Sequence, residues 1–454
     1  MRVLKFDTTV DLINDGILKS ILIFSLPILI SNIFQQLYNM ADIAIVGNTL
    51  GDRSLAAIGA STAVFDLLVN FAVGVGNGLS MVVARNYGAK DEKLLKKSVA
   101  ASVIIGLFLS ISLVILSRFI LIPLLNFLNT PQEIIGEAYS YISIITLFIV
   151  VTFGYNLLSG LLRAIGNSFM SLVFLVIASI INIILDIYFI TSLNMGIAGA
   201  AIATVIAQAV SVILCAIYIY KKVPILIPRK KDFKFDERLY KELLGQGFSM
   251  GFMIAIVLVG TVILQMAINN FGYLIIAAHI AARKLMMFSI MPITTLAVAL
   301  ATFVSQNKGA NKGLRIKKGV LYVNILGIVF GIFLFVTMLL YSKDMVRFLS
   351  GSNSEEVLSN GSNYLKVAAP FFGILAIVLN TRYALQALGQ KILPLVSSVI
   401  ELIGKVLFVV YMIPKLGYFG VMICEPLIWI IMAIQLTHSF YKNDYIKKLN
   451  TKLK

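Results

Sequence analysis

Val83-Ala84-Arg85-Asn86-Tyr87-Gly88-Ala89-Lys90 returns, 221 residues on, as Val304-Ser305-Gln306-Asn307-Lys308-Gly309-Ala310-Asn311. Asn86 pairs with Asn307, Gly88 with Gly309 and Ala89 with Ala310, and a lysine pair follows each copy, Lys96-Lys97 and Lys317-Lys318. The same offset joins Gly196-Ile197-Ala198-Gly199 to Gly417-Tyr418-Phe419-Gly420. Leu162-Arg163-Ala164-Ile165-Gly166 meets Leu385-Gln386-Ala387-Leu388-Gly389 at an offset of 223. Three matches in register mark two copies of one unit.

The residues around these matches say what the unit is made of. The chain is 59% hydrophobic and 13% charged over 454 residues, with a mean hydropathy of +0.95. Soluble domains run to about 45–50% apolar and about 25% charged. A spanning helix needs roughly 20 mostly apolar residues, and such runs recur from end to end. They predict an all-α integral membrane protein of twelve helices, near 21–46, 54–84, 98–121, 134–161, 168–191, 197–220, 245–269, 275–305, 319–341, 363–386, 392–413 and 419–441. With six helices per copy, the second copy starts on the same side as the first. The copies are therefore expected as parallel-repeat six-helix bundles around a central cleft. The domains follow: an N-terminal lobe over 1–220, a cytoplasmic linker over 221–244, a C-terminal lobe over 245–441 and a basic tail over 442–454.

Charge orients the bundle. The net charge of +17 sits in short loops, Arg85–Lys97, Lys221–Lys241, Lys308–Lys318 and the tail from Lys442. The opposite loops hold only Arg53, Arg118, Lys343, Arg347 and Lys415. The excess of Lys and Arg places the first group and both termini in the cytoplasm of a cell membrane. Nucleic acid is excluded as a partner, since no basic folded module carries such binding. Met1–Ser20 lacks a signal-peptide apolar region, so the run Ile21–Val46 is expected to be retained as the first span. Cys215 and Cys424 lie inside apolar segments and read as small buried hydrophobes. No metal motif, phosphate loop or nucleophile elbow argues for an enzyme. No cofactor is expected, and a monomer is.

Ionisable groups inside spans cost at least ~2.5–3.5 kcal/mol each on insertion scales, so each needs a reason. The first helix carries Asn32, Gln35, Gln36, Asn39 and Asp42 as one polar stripe. The fifth carries Asn182 and Asp186 four apart, the sixth Thr204, Gln208 and Ser211, and the fourth Tyr155 and Asn156. A carboxylate held away from water binds a proton more tightly. The same acids, with oxygens of Asn156, Asn182 and Thr204, suit a sodium ion equally well. Hydrogen bonding between helices is the plainer role of Asn32, Gln208 and Ser211. Pro27 lets the first helix bend. Asp66, one turn before Asn70, is a third acid. Gln35, Asn39, Asp66, Gln265, Glu401 and Glu425 are candidates for lining a substrate cleft. Glu401 and Lys405 sit four apart and suit an internal pair. Glu425 precedes Pro426, and His279 and Arg283 are expected at the outer interface of the eighth helix.

These residues resemble a known family, the multidrug and toxic compound extrusion (MATE) transporters, over nearly the whole chain. The resemblance rests on Ser25-Leu26-Pro27, on Asp42 ahead of Gly47, and on Asn86-Tyr87-Gly88-Ala89-Lys90-Asp91. Arg163-Ala164-Ile165-Gly166-Asn167, Asn182-Ile183-Ile184-Leu185-Asp186 and Gly196-Ile197-Ala198-Gly199-Ala200-Ala201 with Thr204 complete it. It implies efflux of small organic, often cationic compounds by antiport with H+ or Na+. In the DinF-like branch it implies a cation site in the first lobe on Asp42, Asn156, Asn182, Asp186 and Thr204, with bending at Pro27. One departure stands out: the NorM-like branch has acids in helices seven and eight, and here helix seven offers only Gln265 and helix eight no carboxylate. The alternative within the same superfamily is a lipid-linked precursor flippase. It calls for deep cationic groups, of which Lys405 is the one candidate. The loop Arg85–Lys97 does not match the major-facilitator signature, which sets aside the other common 6+6 design.

Overall fold

A computed structural model describes residues 9–128 and 130–451. The described residues form helices and turns with no strand. Eleven helices are long and apolar enough to span a bilayer, and a pair bent by 50° at Phe148 makes a twelfth if counted as one span. In chain order these are α1 Ile17–Leu50, α2 Asp52–Gly88, α3 Glu92–Phe127, α4 the bent pair Gln132–Leu147 and Ile149–Ala164, α5 Ser168–Ile187 and α6 Gly196–Lys222. The second series is α7 Glu237–Ile268, α8 Tyr273–Gly309, α9 Gly313–Ser350, α10 Glu355–Ala368 continuing as Phe372–Ala387, α11 Ile392–Leu407 and α12 Tyr418–Lys442. A short amphipathic helix, α13 Asp444–Thr451, ends the chain. Nine of the twelve spans expected from the sequence fall inside these elements, and the other three, 168–191, 245–269 and 392–413, run on into the short turns that follow α5, α7 and α11.

By internal contacts the chain divides into two compact units. The first holds Ile23–Phe252 with the described residues through Asn14, and the second holds Asp15–Leu22 with 253–451. Thus α7 is shared, its first half belonging to the first unit. The segment expected as a linker is partly helical: short 3-10 turns at Pro224–Leu226 and Lys230–Phe233 precede the start of α7 at Glu237.

The repeat is written into the backbone of each unit. Lys90 (φ 58°) and Asn311 (φ 55°) both adopt the left-handed conformation just after their helices. In each copy the preceding alanine amide closes on the last turn, Ala89 N to Arg85 O and Ala310 N to Gln306 O, both 2.9 Å. Gly166 (φ 91°) and Gly389 (φ 79°) end α4 and α10 in the same way. The next amide then reaches back five residues, Asn167 N to Leu162 O at 2.9 Å and Gln390 N to Leu385 O at 3.0 Å. Glycine takes such a cap without the Cβ strain other residues meet. Both α5 and α11 finish in a π-helical turn, Tyr188–Ser192 and Phe408–Met412.

Large apolar side chains along α3 and α9, among them Phe108, Phe119, Ile332 and Phe333, point outward. Lipid tails are their natural surroundings, since helices satisfy their backbone internally and leave only side chains to the bilayer. Inside the first unit, α2 and the first half of α7 approach at backbone distance. A Cβ on Gly78 would lie 2.6 Å from Gln246 O and 2.7 Å from Gly247 Cα. Neither atom can swing away, so Gly78→Val should destabilise the protein by about 1–3 kcal/mol or more. Thermal melting in detergent reads this directly, and an unchanged melting temperature would contradict the close approach.

The start of α7 is tied to α2 and α3 by Arg85–Glu242 and by Lys97 Nζ to Asp236 Oδ2 at 3.0 Å. The hydrogen bond from Lys97, helped by the Leu239 amide, holds the Asp236 carboxyl below the usual carboxylate range. A lowered value means the contact contributes at neutral pH and is lost as acid protonates Asp236. Hydrogen exchange around 236–240, corrected for intrinsic rate, should stay constant on acidification and rise only below about pH 4.

Candidate functional site

The first unit encloses a cavity of about 200 Å³. Gln35 and Tyr38 of α1, Asn70 of α2, Thr152, Tyr155 and Asn156 of α4, Asn182 of α5, and Thr204, Gln208 and Ser211 of α6 bring polar groups to it. Phe65, Val69, Val73, Leu175 and Ala178 supply the apolar part of the wall. Helical spacing explains the gathering, because residues three or four apart stack on one face. Asn182 of α5 and the α6 stripe of Thr204, Gln208 and Ser211 therefore face the cavity together, whereas of the α1 stripe only Gln35 lines it.

Several of these groups already serve each other. Thr152 donates to Gln208, and Asn156 Nδ2 donates to Thr152 O at 2.8 Å. Thr204 donates to Ala200 O at 3.1 Å while accepting from Asn182 Nδ2 at 3.4 Å. Ser211 donates to Phe174 O at 2.8 Å. Gln208 and Ser211 thus bridge or cap helices, the plainer role expected of them.

Asp42 and Asp186 behave differently. Asp186 is fully buried and Asp42 nearly so, and the two carboxyl groups interact directly with each other. Asp42 Oδ1, both oxygens of Asp186 and Asn182 Oδ1 are buried without a hydrogen-bond donor. Two carboxylates side by side with no donor form an unfavourable arrangement unless a proton or a metal cation lies between them. Asp186 lies one turn beyond Asn182, next to the cavity wall. The donor set of carboxylate, amide and hydroxyl oxygens fits a hard cation and fits a shared proton equally well.

Two neighbours of this pair have little or no signal in the sequence. Tyr38 and Tyr141 both lie within electrostatic reach of Asp42 and Asp186. Tyr38 precedes Asp42 by four residues, so the face it shares was visible in the spacing. Tyr141 comes from an ordinary-looking apolar stretch of α4, and only folding brings it near. The remaining candidates of this unit are peripheral. Asn39 is exposed, and Asp66 accepts from Asn70 Nδ2 at 3.1 Å. Pro27 lies within an α1 that stays one helix, and the Ser31 hydroxyl donates to its carbonyl at 2.8 Å.

In the second unit, Glu401 and Glu425 are engaged by cations of the chain itself. Lys405 Nζ is 3.1 Å from Glu401 and 3.2 Å from Glu425. Arg283 pairs with Glu425, and Arg382 Nη2 lies 3.5 Å from Glu401. The i, i+4 pairing expected for Glu401 and Lys405 is present within this larger cluster. The expectation that His279 and Arg283 reach the outer interface does not hold. α8 begins at Tyr273, so both residues are well inside it. His279 is buried against Tyr418, Nδ1 to OH 3.2 Å, and Arg283 turns inward to Glu425 and to Tyr364. The attraction of a buried carboxylate outweighs the short route to solvent. Lys405 is likewise not alone as a deep cation, since Arg283 and Arg382 accompany it. Gln265 is only partly buried and donates to Asn269 at 2.9 Å. Among the described residues no group of three or more His, Cys, Asp and Glu could hold a metal.

The MatE family model matches residues 27–188 and 250–412, once per repeat. The "Probable multidrug resistance protein YpnP" of Bacillus subtilis is 28% identical over 394 residues, 86% of this chain and 87% of its own. "Multidrug export protein MepA" of Staphylococcus aureus is 24% identical, over 65% of this chain and 66% of its own. A crystal structure of MATE in the bent conformation superposes with a TM-score of 0.87 at 23% identity, covering 96% of this chain and 98% of that one. A MOP superfamily transporter from Pyrococcus furiosus superposes at 0.84, also at 23% identity, over 94% and 96%.

Proposed function

Because this chain belongs to the MatE family of membrane transporters, we propose that it exports small organic, drug-like compounds in exchange for H+ or Na+ bound at Asp42 and Asp186. The observation that carries the reading is the buried pair of carboxylates, donorless, beside a polar cavity. A charge in a spanning bundle is retained where it marks an ion or substrate path. Asn156, Asn182 and Thr204 complete the oxygen set, and Gln35 brings the polar face of α1 to the cavity that would receive the substrate. Pro27 gives α1 the freedom to bend as the carboxylates load and unload. The relatives named for multidrug resistance and multidrug export support drug-like cargo. The basic loops support a cell-membrane location with both termini in the cytoplasm. Against a lipid-linked precursor flippase stands the engagement of Lys405, Arg283 and Arg382 by Glu401 and Glu425, which leaves few deep positive charges for a pyrophosphate.

The test is export from energised vesicles under an imposed pH or sodium gradient. Asn182→Ala and Thr204→Val separate the two ions. A proton needs only a carboxylate, whereas sodium also needs the amide and hydroxyl oxygens. If sodium drives export, each variant should raise the sodium concentration for half-maximal rate about tenfold, the factor that 1.4 kcal/mol of lost coordination gives. If protons drive it, the pH profile should move far less. Export that ignores both gradients would end the antiport reading.

A further inference from the structure

Five ionisable side chains of the second unit, Arg283, Arg382, Glu401, Lys405 and Glu425, form one cluster with Lys405 at its centre. Its Nζ lies 3.1 Å from Glu401 Oε1, 3.2 Å from Glu425 Oε1 and 3.2 Å from Thr261 Oγ1. The other oxygens of the same carboxylates belong to arginines, Glu425 Oε2 to Arg283 and Glu401 Oε2 to Arg382. Arg382 is oriented in turn by Ser397, Nε to Oγ 2.8 Å, and Arg283 by Tyr364. Lys405 is 1% exposed. Its stem passes Gly260, where a Cβ would come within 3.1 Å of Lys405 Cδ.

An ammonium has three N–H donors and a compact point charge. Here three oxygens from three helices meet it, two of them carboxylate and one hydroxyl. Carboxylate and hydroxyl oxygens are also what the first unit gathers around Asp42 and Asp186, with no cationic side chain among them. The second unit supplies the cation from its own sequence.

We propose that Lys405 is a resident cation, its ammonium filling a monovalent-cation site of the second unit so that this unit takes up no exchangeable ion. The consequence that each transport cycle draws its ion from the first unit alone rests on the antiport reading above. The occupancy of the site by Lys405 does not. Arg283 hydrogen-bonds the outer oxygen of Glu425 and Arg382 stands 3.5 Å from that of Glu401, so the inner oxygens face whatever cation stands between them. Gly260 keeps the route of the lysine stem open.

The experiment uses the purified full chain with Asp42→Asn and Asp186→Asn, which removes the acids of the first unit. This parent should bind no radiolabelled sodium, and its melting temperature should ignore sodium and methylammonium. Adding Lys405→Ala should create saturable binding of one sodium per chain and a melting temperature that climbs with either cation. Adding Glu425→Gln as well should abolish both gains. Lys405→Met, which keeps most of the stem volume and removes the charge, is measured in parallel. Cation binding gained by either lysine variant supports the proposal. No gain in either, including failure of both to fold with sodium or methylammonium present, overturns it and leaves Lys405 an ordinary ion-pair partner. Such a failure is distinct from failure of the antiport reading, which export assays on Asp42 and Asp186 decide.

Discussion

Asp42→Asn should reduce gradient-driven export to the level of vesicles lacking the protein, while the variant still inserts and melts near the parent temperature. Asparagine keeps the shape of the side chain and removes its ability to carry a negative charge or exchange a proton. Asp42 is nearly buried, and its Oδ1 has no hydrogen-bond donor in the protein. Folding therefore loses little when it is neutralised, and it gains relief from the neighbouring Asp186 carboxyl. Transport loses the group that binds the ion on one face and releases it on the other. Asp186→Asn should behave alike, and the double variant no worse than either single one, because residues acting as one unit are not additive. Undiminished uphill export by Asp42→Asn would remove it from the coupling role.

The opposite split is expected for Glu425→Ala, which should fail on stability before transport can be measured. Breaking a buried ion pair by removing one partner costs about 3–5 kcal/mol, because the other charge is left uncompensated. Glu425 is 6% exposed and answers two cations, Lys405 and Arg283. Its removal leaves three positive groups facing only Glu401. Thermal melting in detergent should fall far more than on breaking an exposed pair such as Lys343–Glu355, since an exposed pair is worth only about 0–1 kcal/mol. A Glu425→Ala protein that melts like the parent would show that the cluster contributes no stability. The contrast between the two acids has one cause: Asp42 faces another acid, whereas Glu425 faces cations.

Much of this was legible in the residues. Hydrophobic runs fixed the spans because the bilayer forbids unsatisfied backbone, and only helices of sufficient length meet that demand. The Asn86/Asn307 and Gly166/Gly389 matches pointed to equal helix ends, and those ends have matching left-handed caps. Asp42, Asn182, Asp186 and Thr204 stood out because lipid makes each polar group conspicuous. Helical spacing was enough to put Asn182 and Asp186 on a common face; Asn182 and Thr204 line the cavity, and Asp186 meets Asp42 outside its lining.

The partners were not legible. Glu425 and Arg283 belong to different helices, and Arg283 read as an interfacial residue because a helix count gives depth only roughly. Arg382 carried no mark of its tie to Glu401, nor Tyr141 of its place near Asp42. Sequence alone determined that this is a twice-repeated helical membrane protein with acids where lipid should exclude them. Periodicity and transfer cost act locally, and a chain displays both. Tertiary structure alone decided which acids are neutralised from within and which remain open to a cation. Charge pairing acts over a few ångströms in space, and neighbours at that range can be any distance apart along the chain.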